Sequence, residues 1–289
     1  MVFIRKKKIK GKEYYYLVKS IRSGDKVKKI EKYLGKEKPS LNTIKQLNAS
    51  LSKYLIDNQI NELEGIKKKF NENYENLSSK AQEKFIDHFR VKFTYSTNKI
   101  EGSTLSLRDT KLILIDQIMP QGKTRKEVSE AENHAKAFNK MLAYKGDLNM
   151  EFLLEIHKIL LEEIEDFAGK LRTENVMIIG SYFKPVKHEK VKAEMKSFFE
   201  WYQKAKVLHP FELACLVHLK LVTIHPFSDG NGRISRLMMN FILKKHNFPM
   251  FDIQYEDRED YYDKLEKCQI DEIENPFVKL CYKLYLSQN

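Results

Sequence analysis

His225-Pro226-Phe227-Ser228-Asp229-Gly230-Asn231-Gly232-Arg233-Ile234-Ser235-Arg236 is the stretch on which the fold is read. An apolar run, Leu213 to Ile224, leads into it. Pro226 lacks an N–H and has a fixed φ, so the preceding helix ends at His225. Gly230-Asn231-Gly232 lets the backbone turn tightly where side chains would collide. Ile234, Leu237, Met238, Phe241 and Ile242 then follow at helical spacing. A glycine-rich loop that opens a helix leaves unpaired N–H groups converging on one point, where the helix dipole favours negative charge. The pattern therefore predicts a phosphate cradle. Asp229 supplies the oxygen that Mg²⁺ takes alongside substrate phosphates. Arg233 and Arg236 project from neighbouring positions and can clamp phosphate oxygens. His225 titrates near neutral pH and can take a proton from an attacking hydroxyl.

The stretch resembles the signature of the Fic family, His-x-Phe-x-Asp/Glu-Gly-Asn-Gly-Arg-x-x-Arg, with every fixed position matched. The resemblance extends from about Ser96 to about Leu265. It implies a mainly α-helical domain with a small β-hairpin flap. It also implies transfer of a nucleotide monophosphate, usually AMP from ATP, to a protein hydroxyl. His225 is then the catalytic base, and Asp229 the Mg²⁺ ligand. The N–H groups of Gly230, Asn231 and Gly232, with Arg233 and Arg236, hold the phosphates.

Working outward, Thr97-Asn98-Lys99-Ile100-Glu101-Gly102 resembles the family's inhibitory motif, Ser/Thr-x-x-x-Glu-Gly/Asn. The resemblance implies that Glu101 pairs with Arg236, occupying the fork meant for the γ-phosphate and repelling ATP. The plain alternative is a helix-end Glu followed by a glycine cap. On the other side, Asn175 to Val186 is β-branched and aromatic around Gly180-Ser181, which predicts a hairpin. By position it resembles the family's flap, and Ile178, Ile179, Gly180, Ser181 and Tyr182 would align the target segment by β-augmentation. Arg172 resembles the arginine that precedes that flap. Tyr261 and Tyr262 resemble residues that flank the nucleotide base. His88, His157 and His218 lie on apolar stripes and are expected to be packed rather than catalytic.

The remaining segments read mostly as helices. Leu41 to about Phe70, Lys80 to Asn98 and Leu107 to about Gln117 carry apolar faces. Thr124 with Glu127 reads as a capping box for a helix reaching about Tyr144. Further helices are expected from Asp147–Asn149 through Ile164, Glu189 to Lys206, Asp257 to Cys268 and Asn275 to Leu286. The residues after Phe251 leave room for two closing helices and no winged-helix domain.

Residues 1–38 read as a separate basic piece, a three-stranded antiparallel meander of Val2-Phe3-Ile4, Tyr14 to Val18 and Val27 to Tyr33. They hold 14 Lys and Arg against 4 Asp and Glu, a net of +10, so the rest of the chain carries only +2 of the total +12. A basic strand piece suits nucleic acid or an acidic protein. It equally suits a solvated sheet whose lysines block edge pairing. The domains expected are this meander (1–38), a helical region (39–95) and a Fic catalytic domain (96–289) with its inhibitory segment at 97–102.

At 42% hydrophobic and 32% charged residues, the chain has the composition of a globular protein. No apolar run approaches membrane-spanning length, and the start lacks a signal-peptide core. Cys215, Cys268 and Cys281 have no metal spacing and read as reduced core thiols of a cytoplasmic protein. The expected activity is that of a protein adenylyltransferase, using ATP and Mg²⁺ on a Ser, Thr or Tyr hydroxyl of a target protein or of the chain itself. AMP removal, another nucleotidyl transfer and a nucleic-acid-associated regulator remain open alternatives, as does a homodimer. No membrane partner is expected.

Overall fold

The computed structural model describes residues 2–9, 11–23, 26–37 and 54–289. Two compact units are present, Met1–Lys53 with Val207–His209, and Tyr54–Lys206 with Pro210–Asn289. In the first unit, β1 (Val2–Ile9), β2 (Lys12–Ser23) and β3 (Lys26–Gly35) form an antiparallel sheet in the order β1-β2-β3. Arg5 lies opposite Tyr16, and Tyr16 opposite Tyr33, with a bulge between Tyr15 and Tyr16. The strands run longer than the β-rich runs of the sequence suggest, because ladder bonds continue through the lysines. The helix expected from Leu41 begins outside the described residues.

The second unit is helical. It comprises α1 (Asp57–Glu75), α2 (Ser79–Ile100), α3 (Leu107–Lys111), α4 (Arg125–Ala143), α5 (Met150–Leu160), α6 (His188–Ala205), α7 (Pro210–Ile224), α8 (Asn231–Lys245), α9 (Arg258–Ile270) and α10 (Asn275–Gln288). α2 runs unbroken through residues 95 and 96, so no structural division falls there. The α3 helix widens into a π turn, Leu112–Asp116, closed by Gln117 at φ +56°. Among the described residues no helix is long and apolar enough to cross a membrane.

α7 is apolar nearly all round and accordingly lies at the centre, packed by α6, α8 and α10. α8 is almost as deeply buried, from Arg233 to Leu243. The capping box at Thr124 forms as expected, the hydroxyl accepting from Glu127 N and the Glu127 carboxylate accepting from Thr124 N. Glu127 also accepts from the amide and hydroxyl of Thr104. These bonds tie the segment after α2 to the start of α4 and hold the carboxyl down at about 2, against the opposing effect of burial. His157 and His218 are buried, as expected of apolar-stripe histidines, but His88 is exposed. There the aromatic contacts come from Phe70, Tyr74 and Phe85 instead.

Candidate active site

The signature loop sits between the two buried helices. His225 N–H closes the last turn of α7 on Leu221 O at 3.0 Å, and His225 itself takes φ +53°. Its Nδ1 lies 3.2 Å from Val222 O. A carbonyl only accepts, so Nδ1 carries the proton and Nε2 keeps its lone pair. Burial lowers the His225 pKa below its ordinary value. The imidazole is therefore neutral at pH 7, with one nitrogen ready to accept a proton.

Asn231 does local work that its place in a phosphate loop does not announce. Its amide donates to Phe227 O at 2.8 Å and accepts from Phe227 N at 3.0 Å. The loop is thus closed by a side chain on the first turn of α8, leaving the backbone N–H groups of that turn for a ligand. The Phe227 ring is fully buried and stacks on His157 at 3.7 Å and 10°. His157 accepts from Gly169 N at Nδ1 (2.9 Å), so its Nε2 donates to Asp229 O (3.1 Å). Burial pushes its pKa down to about 4, which keeps it neutral in this role. Gly230, at φ +77°, turns the chain into α8. A Cβ on Gly232 would overlap the Glu101 carboxylate, so glycine is required for that carboxylate to approach.

The two arginines are held differently. Arg233 is buried, with Nη2 3.1 Å from Asp229 Oδ2 and Nη1 3.6 Å from Glu130 Oε1. Its Nε is buried and has no hydrogen-bond partner. Burial raises the Glu130 carboxyl, opposed by Arg233. Arg236, 1% exposed, is enclosed by α2 and α9. Its Nη2 donates to Glu101 Oε1 at 2.5 Å and to Thr97 O at 3.3 Å. Its Nε donates to Thr97 Oγ1 at 2.6 Å, and its Nη1 to Tyr261 Oη at 3.2 Å. Burial works against this charge, but Tyr261 and Glu101 outweigh it and raise the guanidinium pKa further. Gly102 follows at φ +100°, so Glu101 is both a helix-end residue and the partner of Arg236.

The structure separates the two tyrosines that the sequence treats alike. Tyr261 is 1% exposed, hydrogen-bonded to Arg236 and His218 and packed against Phe277. It supports the arginine and offers no open face for a base. Successive helical residues point about 100° apart, and Tyr262 accordingly emerges, 45% exposed, with its hydroxyl donating to Ile100 O at 3.1 Å. Burial raises that hydroxyl to about 12.

The expected hairpin is present as a turn without a ladder. Ser181 N–H reaches Ile178 O at 3.2 Å with Gly180 at φ +83°, but no strand pairing flanks it. Instead Arg172 joins the two arms, donating to Glu174 O at 2.9 Å and to Val186 O. The same guanidinium donates through Nε to His225 O at 2.8 Å, while the Arg172 amide donates to Pro226 O at 3.0 Å. Glu266 on α9 ties down the tip, accepting from Ser181 Oγ (2.6 Å) and Tyr182 N (2.7 Å). Backbone groups that a hairpin would pair are thus taken by side chains from elsewhere. Ile179 and Tyr182 are left almost fully exposed.

His157, Glu130, Glu266 and the joining role of Arg172 escape sequence reasoning, because their partners lie tens of residues away. A histidine at the helical spacing of the α5 apolar stripe was the one signal for His157, and it pointed only to packing.

A glycine-rich loop opening a buried helix, flanked by a neutral histidine and two buried guanidiniums, defines an anion-receiving site of the kind used for phosphate chemistry. Residues 147–243 match the model of the Fic/DOC family. The protein adenylyltransferase Fic of Nematostella vectensis is 35% identical over 192 residues, 64% of this chain and 44% of that protein. That of Aedes aegypti is 34% identical over 212 residues, 71% of this chain and 41% of that protein. Among solved structures, a Fic-domain signalling protein from Bacteroides thetaiotaomicron superposes with a TM-score of 0.69 at 28% identity, covering 80% of this chain and 92% of that one. Residues 134–508 of Fic-1 from Caenorhabditis elegans superpose with a TM-score of 0.68 at 29% identity, covering 80% and 69%. This chain belongs to the Fic/DOC family. It spans less than half the length of the curated relatives it matches.

Proposed function

We propose that this chain is a protein adenylyltransferase that transfers AMP from ATP to a Ser, Thr or Tyr hydroxyl of a target protein or of itself. The observation that carries the reading is the fixed tautomer of His225 beside the open N-terminus of α8. The adenylyltransferase names of the relatives support AMP as the transferred group. The target oxygen attacks the α-phosphorus, its proton passes to His225 Nε2, and the bond to the β-phosphate oxygen breaks to release pyrophosphate. The N–H groups of Asn231 and Gly232 hold the phosphates, that of Gly230 joining them when it leaves Asp229 Oδ1, and Arg233 and Arg236 orient them for departure.

Asp229 fits Mg²⁺ in one specific sense. Its carboxylate is about half exposed and accepts one bond each from Gly230 N and Arg233, which leaves acceptor capacity on a single carboxylate. Among the described residues no cluster of three or more His, Cys, Asp or Glu could hold a metal unaided. A cation completed by substrate phosphates suits such a donor set. When bound, Mg²⁺ would supply charge neutralisation on the phosphates.

Glu101 keeps this site in a restrained state by occupying Arg236. The open face of Tyr262 is the one offered to the base, and residues 178–182, fixed by Glu266, receive the target segment. Incubation with α-³²P ATP and Mg²⁺, wild type beside His225→Ala, tests the reading. Equal labelling by the two proteins would overturn it.

A further inference from the structure

Arg233 is held between two carboxylates of different origin. Asp229 belongs to the signature loop, and its Oδ2 accepts from Arg233 Nη2 at 3.1 Å. Glu130 comes from α4, which packs against α8, and its Oε1 lies 3.6 Å from Nη1. The α4 face that carries Glu130 is itself anchored. One turn further on, His134 Nδ1 lies 2.8 Å from Thr94 Oγ1 on α2. The Arg233 side chain is only 4% exposed, so its charge needs a standing counter-charge. Glu130, 18% exposed, is better sheltered for that than Asp229 at 47%. Among the described residues Arg233 is the one ion-pair partner of Glu130. Its α4 neighbours are engaged elsewhere, Lys126 with Glu165 and Glu127 with Thr104. Burial raises the Glu130 carboxyl and Arg233 opposes the rise, so the two groups are linked in energy as well as in distance.

We propose that Glu130 is a positioning residue of the nucleotide site, holding the Arg233 guanidinium so that Nη2 is released to the departing phosphates and Asp229 to the cation. The inference rests on the adenylyltransferase reading. In that reaction Asp229 turns to Mg²⁺ and is withdrawn from Arg233, while Glu130 stays. Without Glu130, Asp229 is the remaining carboxylate partner of the guanidinium. The two then close into a fork-to-fork pair that a phosphate has to break. A carboxylate near a phosphate site also repels the ligand. The two effects have opposite signs. Repulsion alone predicts tighter nucleotide binding once the Glu130 charge is removed, and positioning predicts weaker binding.

The test uses the full chain and calorimetric titration with ADP and with AMP, over a series of Mg²⁺ concentrations. Glu130→Gln keeps the shape and removes the charge. It should weaken ADP by about 10-fold, the size of one charge-assisted contact, and leave AMP within about 3-fold, because AMP has no phosphate beyond the α position. The Mg²⁺ concentration for half-maximal ADP binding should rise about 5-fold or more, since Asp229 stays on Arg233. A packing role would weaken AMP and ADP alike and leave the Mg²⁺ midpoint in place. In an Arg233→Ala background the same change should cost no more than about 2-fold, because both changes act on one pair. Circular dichroism checks the fold. If the Gln variant is unfolded, Glu130→Asp decides: it keeps the charge on a shorter stem, and a selective ADP loss of about 3-fold or more is expected. ADP bound by the folded variant as tightly as by wild type, equal losses for AMP and ADP, or an undiminished loss in the Arg233→Ala background would overturn this inference alone. A wild type that binds neither nucleotide would overturn it together with the reading on which it rests.

Discussion

Replacing Glu101 with Gly should raise activity and lower stability at once. Glu101 Oε1 accepts from Arg236 Nη2 at 2.5 Å, and Arg236 is 1% exposed. A charge-assisted hydrogen bond of this kind contributes about 1.5–3 kcal/mol. In the proposed reaction, ATP displaces that carboxylate before its γ-phosphate reaches the guanidinium. Removing the competitor should therefore strengthen productive ATP engagement by roughly 10- to 100-fold at subsaturating ATP, at about 1.4 kcal/mol per tenfold. The free protein moves the other way. Arg236 keeps Thr97 and Tyr261 as partners and Glu101 is about one-third exposed, so the loss falls below that of a fully buried pair, near 1–2 kcal/mol. For a domain of this size that lowers Tm by about 2–8 °C. Auto-labelling with α-³²P ATP and thermal melts, with and without ATP, measure both. A rise in labelling with a fall in apo Tm, and a larger ATP-induced Tm gain in the variant, is the expected result. Arg236→Ala in the same background should cancel the labelling gain, because both changes act on one pair. If Glu101→Gly labels no faster than wild type, the restraint argument is refuted.

His225→Ala should abolish transfer while leaving ATP affinity within about 3-fold by calorimetry, since the imidazole serves the attacking hydroxyl. With the His225 pKa lowered, the base form persists on mild acidification, so the acidic limb of kcat/KM should fall below pH ~6.5; a midpoint above that value would contradict the assignment. Arg172→Lys should lower kcat by about 10-fold or more with little change in ATP binding, because a point charge cannot serve the carbonyls of Glu174, Val186 and His225 together; single-turnover labelling against nucleotide affinity separates the two. Stability should fall below neutral pH. Burial lowers His134 to about 3, His157 to about 4 and His218 as well, so the unfolded chain takes up three protons that the folded one refuses. Asp252 opposes them by one, since burial raises it to about 7. The stabilising effect of the neutral histidines is complete above the unfolded value near 6.5 and is lost as pH falls towards their folded values. From these four groups alone, two net protons give about 2–3 kcal/mol per pH unit between pH 6 and 5, measurable by urea denaturation.

What the linear sequence determined is local. His225 to Arg236 is a short continuous stretch, and its helix end, glycine loop and new helix follow from neighbouring residues alone. The Thr124–Glu127 box, the ends of most helices and the burial of the apolar α7 stripe are legible for the same reason. Thr97 and Glu101 stand out only by resemblance to the family's inhibitory motif, 135 residues separate Glu101 from Arg236, and only packing α2 against α8 brings the carboxylate to the guanidinium. The flap shows the limit most plainly. Its β-branched run favours strands, yet Arg172 and Glu266 capture the backbone groups a ladder would use. Adjacent Tyr261 and Tyr262 look equivalent in sequence, and helix geometry sends one into the core and the other towards solvent. Tertiary structure decided these points because each depends on which distant residues the fold brings together, and at Arg236 a buried charge left unmatched costs more than local propensity can offset.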